Sequence, residues 1–133
     1  MKHFPKTLLR LLVVIAVCAT FGQSTSVRAA DGRIGANVAT FTVPAKLSRT
    51  DVEWVIQKSL IARKWTVQSS RDGEIVAHHE HGSNVATLTI RYDERKIDIY
   101  AVGQSRRGGL PMGWIENLKR HINSNIGTVM LRK

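Results

Sequence analysis

The clearest structural pattern in this chain is Val85-Ala-Thr-Leu-Thr-Ile-Arg-Tyr-Asp-Glu-Arg-Lys-Ile-Asp-Ile-Tyr-Ala-Val102. Its first half alternates apolar and polar residues as far as Tyr92, and a period of two is typical of a β-strand with one buried face. Asp93-Glu-Arg95 then reverses the chain, and the residues from Lys96 onward return as a second strand. The stretch therefore predicts an antiparallel hairpin with one face turned towards a core.

A basic, glycine-rich loop and a helix follow this hairpin. After Gln104-Ser-Arg-Arg-Gly-Gly109 the apolar residues recur at intervals of three and four, the spacing that forms one stripe along a helix. The stripe consists of Met112, Ile115, Leu118, Ile122 and Ile126. Because the helix follows the hairpin directly, we expect it to close onto the apolar face of the hairpin.

The residues before the hairpin predict another helix and two more strands. Ser48-Arg-Thr-Asp51 has the form of a capping box, and apolar residues at helical spacing run from it to Ala62. Trp65 begins a strand, and the Asp72-Gly73 pair favours a tight turn into a return strand, Glu74–His81.

These elements predict an α+β domain, a four-stranded antiparallel meander with two helices packed on one face. Val38–Val43 is rich in β-branched residues and alternates loosely, so a fifth, N-terminal edge strand is compatible with the sequence. Trp54 and Ile61 fall off the stripe of the first helix, where we expect them to be partly exposed. The open face of the sheet is expected to carry Thr66, Gln68, Thr87, Thr89, Arg91, Asp98 and Tyr100.

The beginning of the chain predicts export. A basic start without acids is followed by the apolar run Leu11–Ala19 and by small residues at Val27 and Ala29, the pattern of a secretory signal peptide. The apolar run is about half of the ~20 residues that a membrane-spanning helix needs. We expect cleavage between Ala29 and Ala30. The chain then divides into a signal peptide at residues 1–29, a mobile segment with the edge strand at 30–46, and the α+β domain at 47–133.

Cys18, the only cysteine, leaves an alternative open. Ile15-Ala-Val-Cys18 resembles the lipobox of bacterial lipoproteins, although Val17 stands where Gly, Ala or Ser is usual. In that alternative the cysteine is lipidated and the protein is anchored to a membrane; otherwise it is periplasmic or secreted. In both cases the folded part lacks cysteine, so it must be stabilised by its core rather than by a disulfide.

The charge of the chain favours anionic partners. The full sequence carries a formal net charge of +10. Removing residues 1–29 leaves 16 Lys and Arg against 10 Asp and Glu, a charge of about +6. Such an excess attracts phospholipid headgroups, acidic polysaccharides and other anionic components of a cell envelope. We expect no specific nucleic-acid partner, because an exported protein meets little nucleic acid.

The sequence offers little for a metal site or for catalysis. In His78-His-Glu-His81 the strand period places His79 and His81 on one side, and a tetrahedral metal needs at least one ligand more. The part beyond residue 30 contains no cysteine, and no serine lies in a Gly-x-Ser-x-Gly turn. We therefore expect neither a cofactor nor an enzyme, with metal binding or a metal-dependent activity through His78–His81 as an alternative.

The loop before the last helix is the candidate anion-binding site. Arg106 and Arg107 precede Gly108 and Gly109, and Pro111 suits the start of the helix. The first backbone N–H groups of a helix have no partner within it, and its dipole adds partial positive charge there. Two guanidinium groups at this place would suit a phosphate, a sulfate or a carboxylate. The alternative is a solvated, flexible crossover.

Several core motifs carry a resemblance to a known kind of protein. They are Gly73-x-Ile75-x-Ala77, Ala86-x-Leu88-x-Ile90-x-Tyr92, Ile97-x-Ile99-Tyr100 and Trp114-Ile-x-Asn-Leu118-x-x-x-Ile122. Over roughly residues 50–126 the chain resembles a family of small uncharacterised exported bacterial proteins and lipoproteins. The family's loop differs from Arg106-Arg-Gly-Gly109, since its members carry Ser with aromatic residues or Asn there. The resemblance implies a fold and export, and no catalytic residue.

The sequence thus predicts an exported, non-enzymatic binding module for an anionic ligand or a protein partner of the envelope. A purely structural domain that docks another exported protein through its open sheet face remains a further alternative.

Overall fold

The computed structural model describes residues 34–133 as five strands and two helices. These are β1 Ala36–Thr42, α1 Arg49–Ala62, β2 Thr66–Arg71, β3 Glu74–His81, β4 Asn84–Tyr92, β5 Lys96–Gln104 and α2 Met112–Met130. The predicted signal peptide at 1–29, its cleavage site at Ala29 and Ala30, and the alternative lipidation site at Cys18 lie outside the described residues.

The five strands form one antiparallel sheet in the order β1-β5-β4-β3-β2. The predicted α+β fold and its four-stranded meander, β2 to β5, are confirmed. The edge strand that the sequence allowed is present as β1, which pairs with β5 and buries Ala39 and Phe41. β1 belongs to the same compact unit as the rest of the described chain, Ile34–Lys133.

One face of the sheet and the inner sides of both helices make the core. Leu88 and Ile90 of the central strand β4 are fully buried, and their polar neighbour Arg91 is exposed. The helices bury two stripes against this face: Val52, Val55, Ile56 and Leu60 from α1, and Ile115, Leu118, Ile122 and Val129 from α2.

The predicted stripe of α2 is wrong at its first position. Met112, the first residue of the helix, is 44 % exposed, because at 3.6 residues per turn it lies about 90° around the helix from the middle of the buried positions. Val129, one turn past the predicted end, is buried, and Ile126 is partly buried against the core. The helix is therefore longer at its C-terminal end than the stripe indicated.

Local hydrogen bonds set where α1 begins and how it meets α2. The predicted capping box is present: Asp51 N donates to Ser48 Oγ at 3.1 Å, and Ser48 N donates to Asp51 Oδ2 at 2.9 Å. Ser59, a buried polar residue, accepts from Asn125 Nδ2 at 2.9 Å and so links the two helices. Within residues 34–133, neither helix has the length and apolar character that crossing a bilayer requires.

The antiparallel order gives the domain two distinct ends. At one end α1 finishes and β2 starts, β3 turns into β4, and β5 leads through the basic loop into α2. We call this the cleft end and define it by residues 62–65, 79–84 and 104–114. The opposite end carries the β2–β3 and β4–β5 turns and the start of α1.

Candidate functional site: an aromatic cleft with a basic rim

Three rings from three different elements meet at the cleft end. Trp65 lies directly before β2, His79 in β3 and Trp114 in the first turn of α2. The centroids of the His79 and Trp114 rings are 4.3 Å apart, and those of Trp65 and His79 are 5.4 Å apart. Trp65 and Trp114 meet edge to face at 6.3 Å. Such tilted and edge-on pairs are favourable aromatic geometries.

These rings form a wall of a cleft of about 240 Å³. Ala62, Arg63 and Lys64, at the end of α1, supply its other lining. Trp65 is only 4 % exposed and supports the wall from the core. His79 and Trp114 are half-buried and present part of their rings to the opening. The cleft thus combines an aromatic wall with two cationic side chains.

Lys64 holds an unusual backbone conformation on this rim. Its φ is +65°, and it is the only residue other than glycine with a positive φ in the described chain. Lys64 N donates to Ile61 O at 3.1 Å and Trp65 N donates to Leu60 O at 2.9 Å, the pair of bonds that closes a helix in a Schellman motif. Glycine is usual at this position, because a side chain there costs about 1–2 kcal/mol.

The predicted anion-binding loop lies at the same end and is internally bonded. Ser105 N donates to Gly109 O at 2.7 Å, and Gly108 N donates to Ser105 O at 3.0 Å. Gly108 and Gly109 both have positive φ, so the turn requires glycine there. Arg106 N also donates to Asn84 Oδ1 at 2.8 Å, which ties the loop to the β3–β4 turn.

The side chains of this loop remain available to a ligand. Arg106 and Arg107 are exposed, and within residues 34–133 the structure shows no ion pair for either guanidinium group. Pro111 is the N-cap of α2 and provides no capping hydrogen bond, and the first turn holds no acid. A negative charge on a ligand would therefore meet no competing carboxylate at the start of this helix.

The side chains of the four consecutive residues His78–His81 lie on two different sides of the sheet. His78 and Glu80 lie on the open face, where His78 Nδ1 is 2.9 Å from Thr87 Oγ1 and its Nε2 is 3.5 Å from Glu80 Oε2. His79 lies on the helix side against the two indoles. Among residues 34–133, no three His, Cys, Asp or Glu side chains converge as a metal site would need. His79 and His81, the weak metal candidates, have no third ligand beside them in this part of the chain.

Charge is unevenly distributed between the two ends. Arg63, Lys64, Arg106 and Arg107 lie at the cleft end. The acids near them are Glu80, which is close to His78, and Glu116, which pairs with Lys119 at 3.1 Å. The opposite end holds most acids of the described chain: Asp51, Glu53, Asp72, Glu74, Asp93, Glu94 and Asp98. Several of these are paired with cations, for example Asp72 with Arg49 at 2.9 Å. The opposite end is consequently close to neutral.

A larger cleft, of about 420 Å³, lies at that opposite end and is less suited to a ligand. Its lining alternates in sign, since Glu74 lies 3.4 Å from Arg91 and Asp98 lies 3.1 Å from Lys96. Asp98 also accepts from Thr40 Oγ1 at 2.8 Å. Because these charges satisfy one another, a ligand of either sign would have to break an existing pair.

Because of His79, the free energy of unfolding of the domain is expected to decrease as the pH drops below about 6.5. Burial lowers the pKa of His79, and the positive charges of His81, His78 and Lys64 lower it further. Below pH 6.5 the His79 side chain therefore binds a proton more readily in the unfolded chain than in the folded one. The free energy of unfolding is consequently highest above that pH and decreases as the pH falls. Urea denaturation at pH 7.5 and 5.5 tests this. The difference between the free energies of unfolding at these two pH values should be smaller in His79→Gln than in the unchanged protein. An unchanged difference would contradict the assignment.

Comparison of the chain with protein-family models, curated proteins and solved structures gives no match. The resemblance to small exported bacterial proteins therefore stays a prediction, and the site has to be interpreted from its own geometry.

The basic loop is recognisable from the sequence, whereas the aromatic cleft is not. The sequence marks His79 only as a weak metal candidate and Trp114 only as part of a core motif. One signal was present: a lysine, rather than glycine, is the second residue after the end of α1 and precedes a tryptophan. The position of the rings relative to one another depends on the order of β2, β3 and α2 in space.

Proposed function

We propose that this domain is a non-enzymatic binding module for an anionic ligand, with the cleft end as its binding surface. The observation that carries the proposal is the group of four cations at this end, Arg63, Lys64, Arg106 and Arg107, none of which forms an ion pair within residues 34–133. A local excess of one sign beside a cleft raises the local concentration of ligands of the opposite sign.

The surroundings of His79 support binding rather than catalysis. Acid–base chemistry needs a titratable group within hydrogen-bond distance of the proton that it transfers, usually with a partner that adjusts its pKa. The rings nearest to His79 in this cleft are two indoles, which do not exchange protons at neutral pH. We further propose that the module acts outside the cytoplasm, which rests on the pattern of residues 1–29; the mass of the exported chain tests this.

Inorganic phosphate, at low ionic strength, should perturb the amide NMR signals of the cleft end and leave the opposite end unchanged. We expect shifts at residues 62–65, 79–84 and 105–116, because these surround the four cations. The double substitution Arg106→Ala/Arg107→Ala should weaken binding by about 5–10-fold, the effect of removing one to two exposed charge interactions.

A matched variant separates a site from general charge attraction. Lys46→Ala/Arg95→Ala removes two exposed cations at the opposite end and leaves the same net charge as the loop variant. It should bind phosphate like the unchanged protein. Equal weakening by both double variants, or shifts spread over all basic residues, would show that only net charge matters and would contradict the proposed site.

A further inference from the structure

The aromatic cleft gives the proposed ligand a chemical class. Resting on the proposed function, we propose that the cleft binds a small aromatic anion, with its ring against Trp114 and His79 and its anionic group between Lys64 and Arg63. The inference goes beyond the basic loop, because it assigns the recognition of the ligand's ring to Trp114 and His79, which no charge argument identifies.

The size of the cleft selects a ligand with about one ring. A dry cavity of about 150 Å³ holds benzene, and pockets for drug-sized molecules measure about 300–1,000 Å³. The cleft, at about 240 Å³, lies between these values. A single ring with a charged substituent fits, whereas a larger molecule would extend out of the cleft towards Arg106 and Arg107.

The arrangement of the rings suits stacking with a further ring. Trp65 is buried and holds Trp114 edge to face at 6.3 Å, so the indole of Trp114 is supported from behind. His79 packs on Trp114 at 4.3 Å and is held in a strand. Rigid, partly exposed rings bind another ring with little loss of conformational entropy, which is what a preorganised site requires.

Lys64 is the second, independent observation. A residue in a strained conformation that a glycine would relieve persists only where the surrounding structure holds it, and such residues cluster at ligand sites. Lys64 lies on the rim of the cleft in this conformation. A structural role alone would be served better by glycine, because the Schellman bonds at this position involve only backbone groups. A lysine there places an ammonium group on the rim, where the anionic group of a ligand in the cleft would meet it.

Two phosphate monoesters of equal charge test the inference: phenyl phosphate, which has a ring, and methyl phosphate, which does not. Phenyl phosphate should bind about 3–10-fold more tightly, since stacking on one aromatic residue is worth about 1 kcal/mol. The chain has three tryptophans, and each gives one indole N–H signal. The signals of Trp65 and Trp114 should shift with phenyl phosphate. The ring of Trp54, on the outer side of α1, also has two cations over it, Lys58 and Arg132, but lies outside the cleft. A shift of its signal as large as those of Trp65 and Trp114 would contradict the cleft as the specific site.

Two substitutions then distinguish the parts of the site. Trp114→Leu keeps an apolar side chain at this position and should abolish the preference for phenyl over methyl phosphate while both still bind. Lys64→Gly should weaken phenyl phosphate binding by about fivefold, the effect of one exposed charge, and at the same time raise the thermal midpoint by relieving the backbone. Because Lys64→Gly is expected to fold, it tests the inference even if Trp114→Leu unfolds.

The outcomes separate this inference from the proposed function. If phenyl and methyl phosphate bind equally well and both depend on Arg106 and Arg107, the proposed function stands and the inference is overturned. If Lys64→Gly is more stable and binds phenyl phosphate unchanged, the assignment of Lys64 is wrong. If neither ester binds at the cleft end, the proposed function fails together with the inference.

Discussion

Replacing Leu88 by alanine is expected to lower the free energy of unfolding by about 2–5 kcal/mol. Leu88 has 0 % of its surface exposed and lies in the central strand β4. Its partners across the sheet are Ala77 in β3 and Ala101 in β5, so large neighbours are absent on both sides within the sheet. Because alanine side chains cannot extend to refill the space, most of the lost volume should remain as a cavity. Urea denaturation of the purified protein measures the loss.

The adjacent residue supplies the control for this prediction. Thr89 lies on the same strand but faces the open side of the sheet, opposite Tyr100. Thr89→Ala should change the free energy of unfolding by less than about 1 kcal/mol, since it leaves the core intact. Domains of this kind are stable by only about 5–15 kcal/mol, so the Leu88 variant should lose a large share of its stability. Similar losses in both variants would contradict the assignment of the two faces.

Gly103→Ala is expected to destabilise the domain by about 1–3 kcal/mol, the usual cost of overpacking. A Cβ at Gly103 would lie 2.3 Å from Val85 O and 2.8 Å from Ala86 Cα. Both are backbone atoms of β4, so the strain cannot be relieved by rotating a side chain. β5 would have to move away from β4 where it leads into the basic loop. We expect lower stability in urea together with changed amide signals at residues 104–109.

Gly127→Ala is the matched control, with the opposite sign. Gly127 lies inside α2, and an added Cβ would meet no atom within 4 Å. Alanine should stabilise the helix by about 0.5–1 kcal/mol relative to glycine, because glycine has more conformational freedom to lose on folding. If Gly103→Ala lowered the free energy of unfolding no more than Gly127→Ala does, this result would contradict the close approach of β5 to β4.

The fold was largely predictable because its signals are local. The alternation in β4 and the Ser48–Asp51 capping box depend on residues only a few positions apart, and both are confirmed. Trp54 and Ile61 are 38 % and 68 % exposed, as their positions off the helical stripe indicated. The sequence was less informative at the edge of an apolar stripe, and Met112 is the clearest case. Periodicity shows which side of a helix is apolar, but it does not decide whether a residue at the edge of that side is covered.

The candidate site was predicted only in part, because only some of its features depend on residues close to one another in the chain. Arg106, Arg107 and the glycines that shape their turn are neighbours in the chain, so their charge and turn chemistry could be recognised from the sequence alone.

The amino-acid sequence alone shows which face of each strand and helix is apolar, where the local turns and caps lie, and that positive charge is in excess. Only the tertiary structure brought Trp65, His79 and Trp114 within 4.3–6.3 Å of one another and placed Lys64 beside them. The physical reason is that side-chain period reports on contacts within one element, whereas this cleft is formed where α1, β2, β3 and α2 end or begin. Their meeting depends on the order of the strands and on the opposite directions of the two helices.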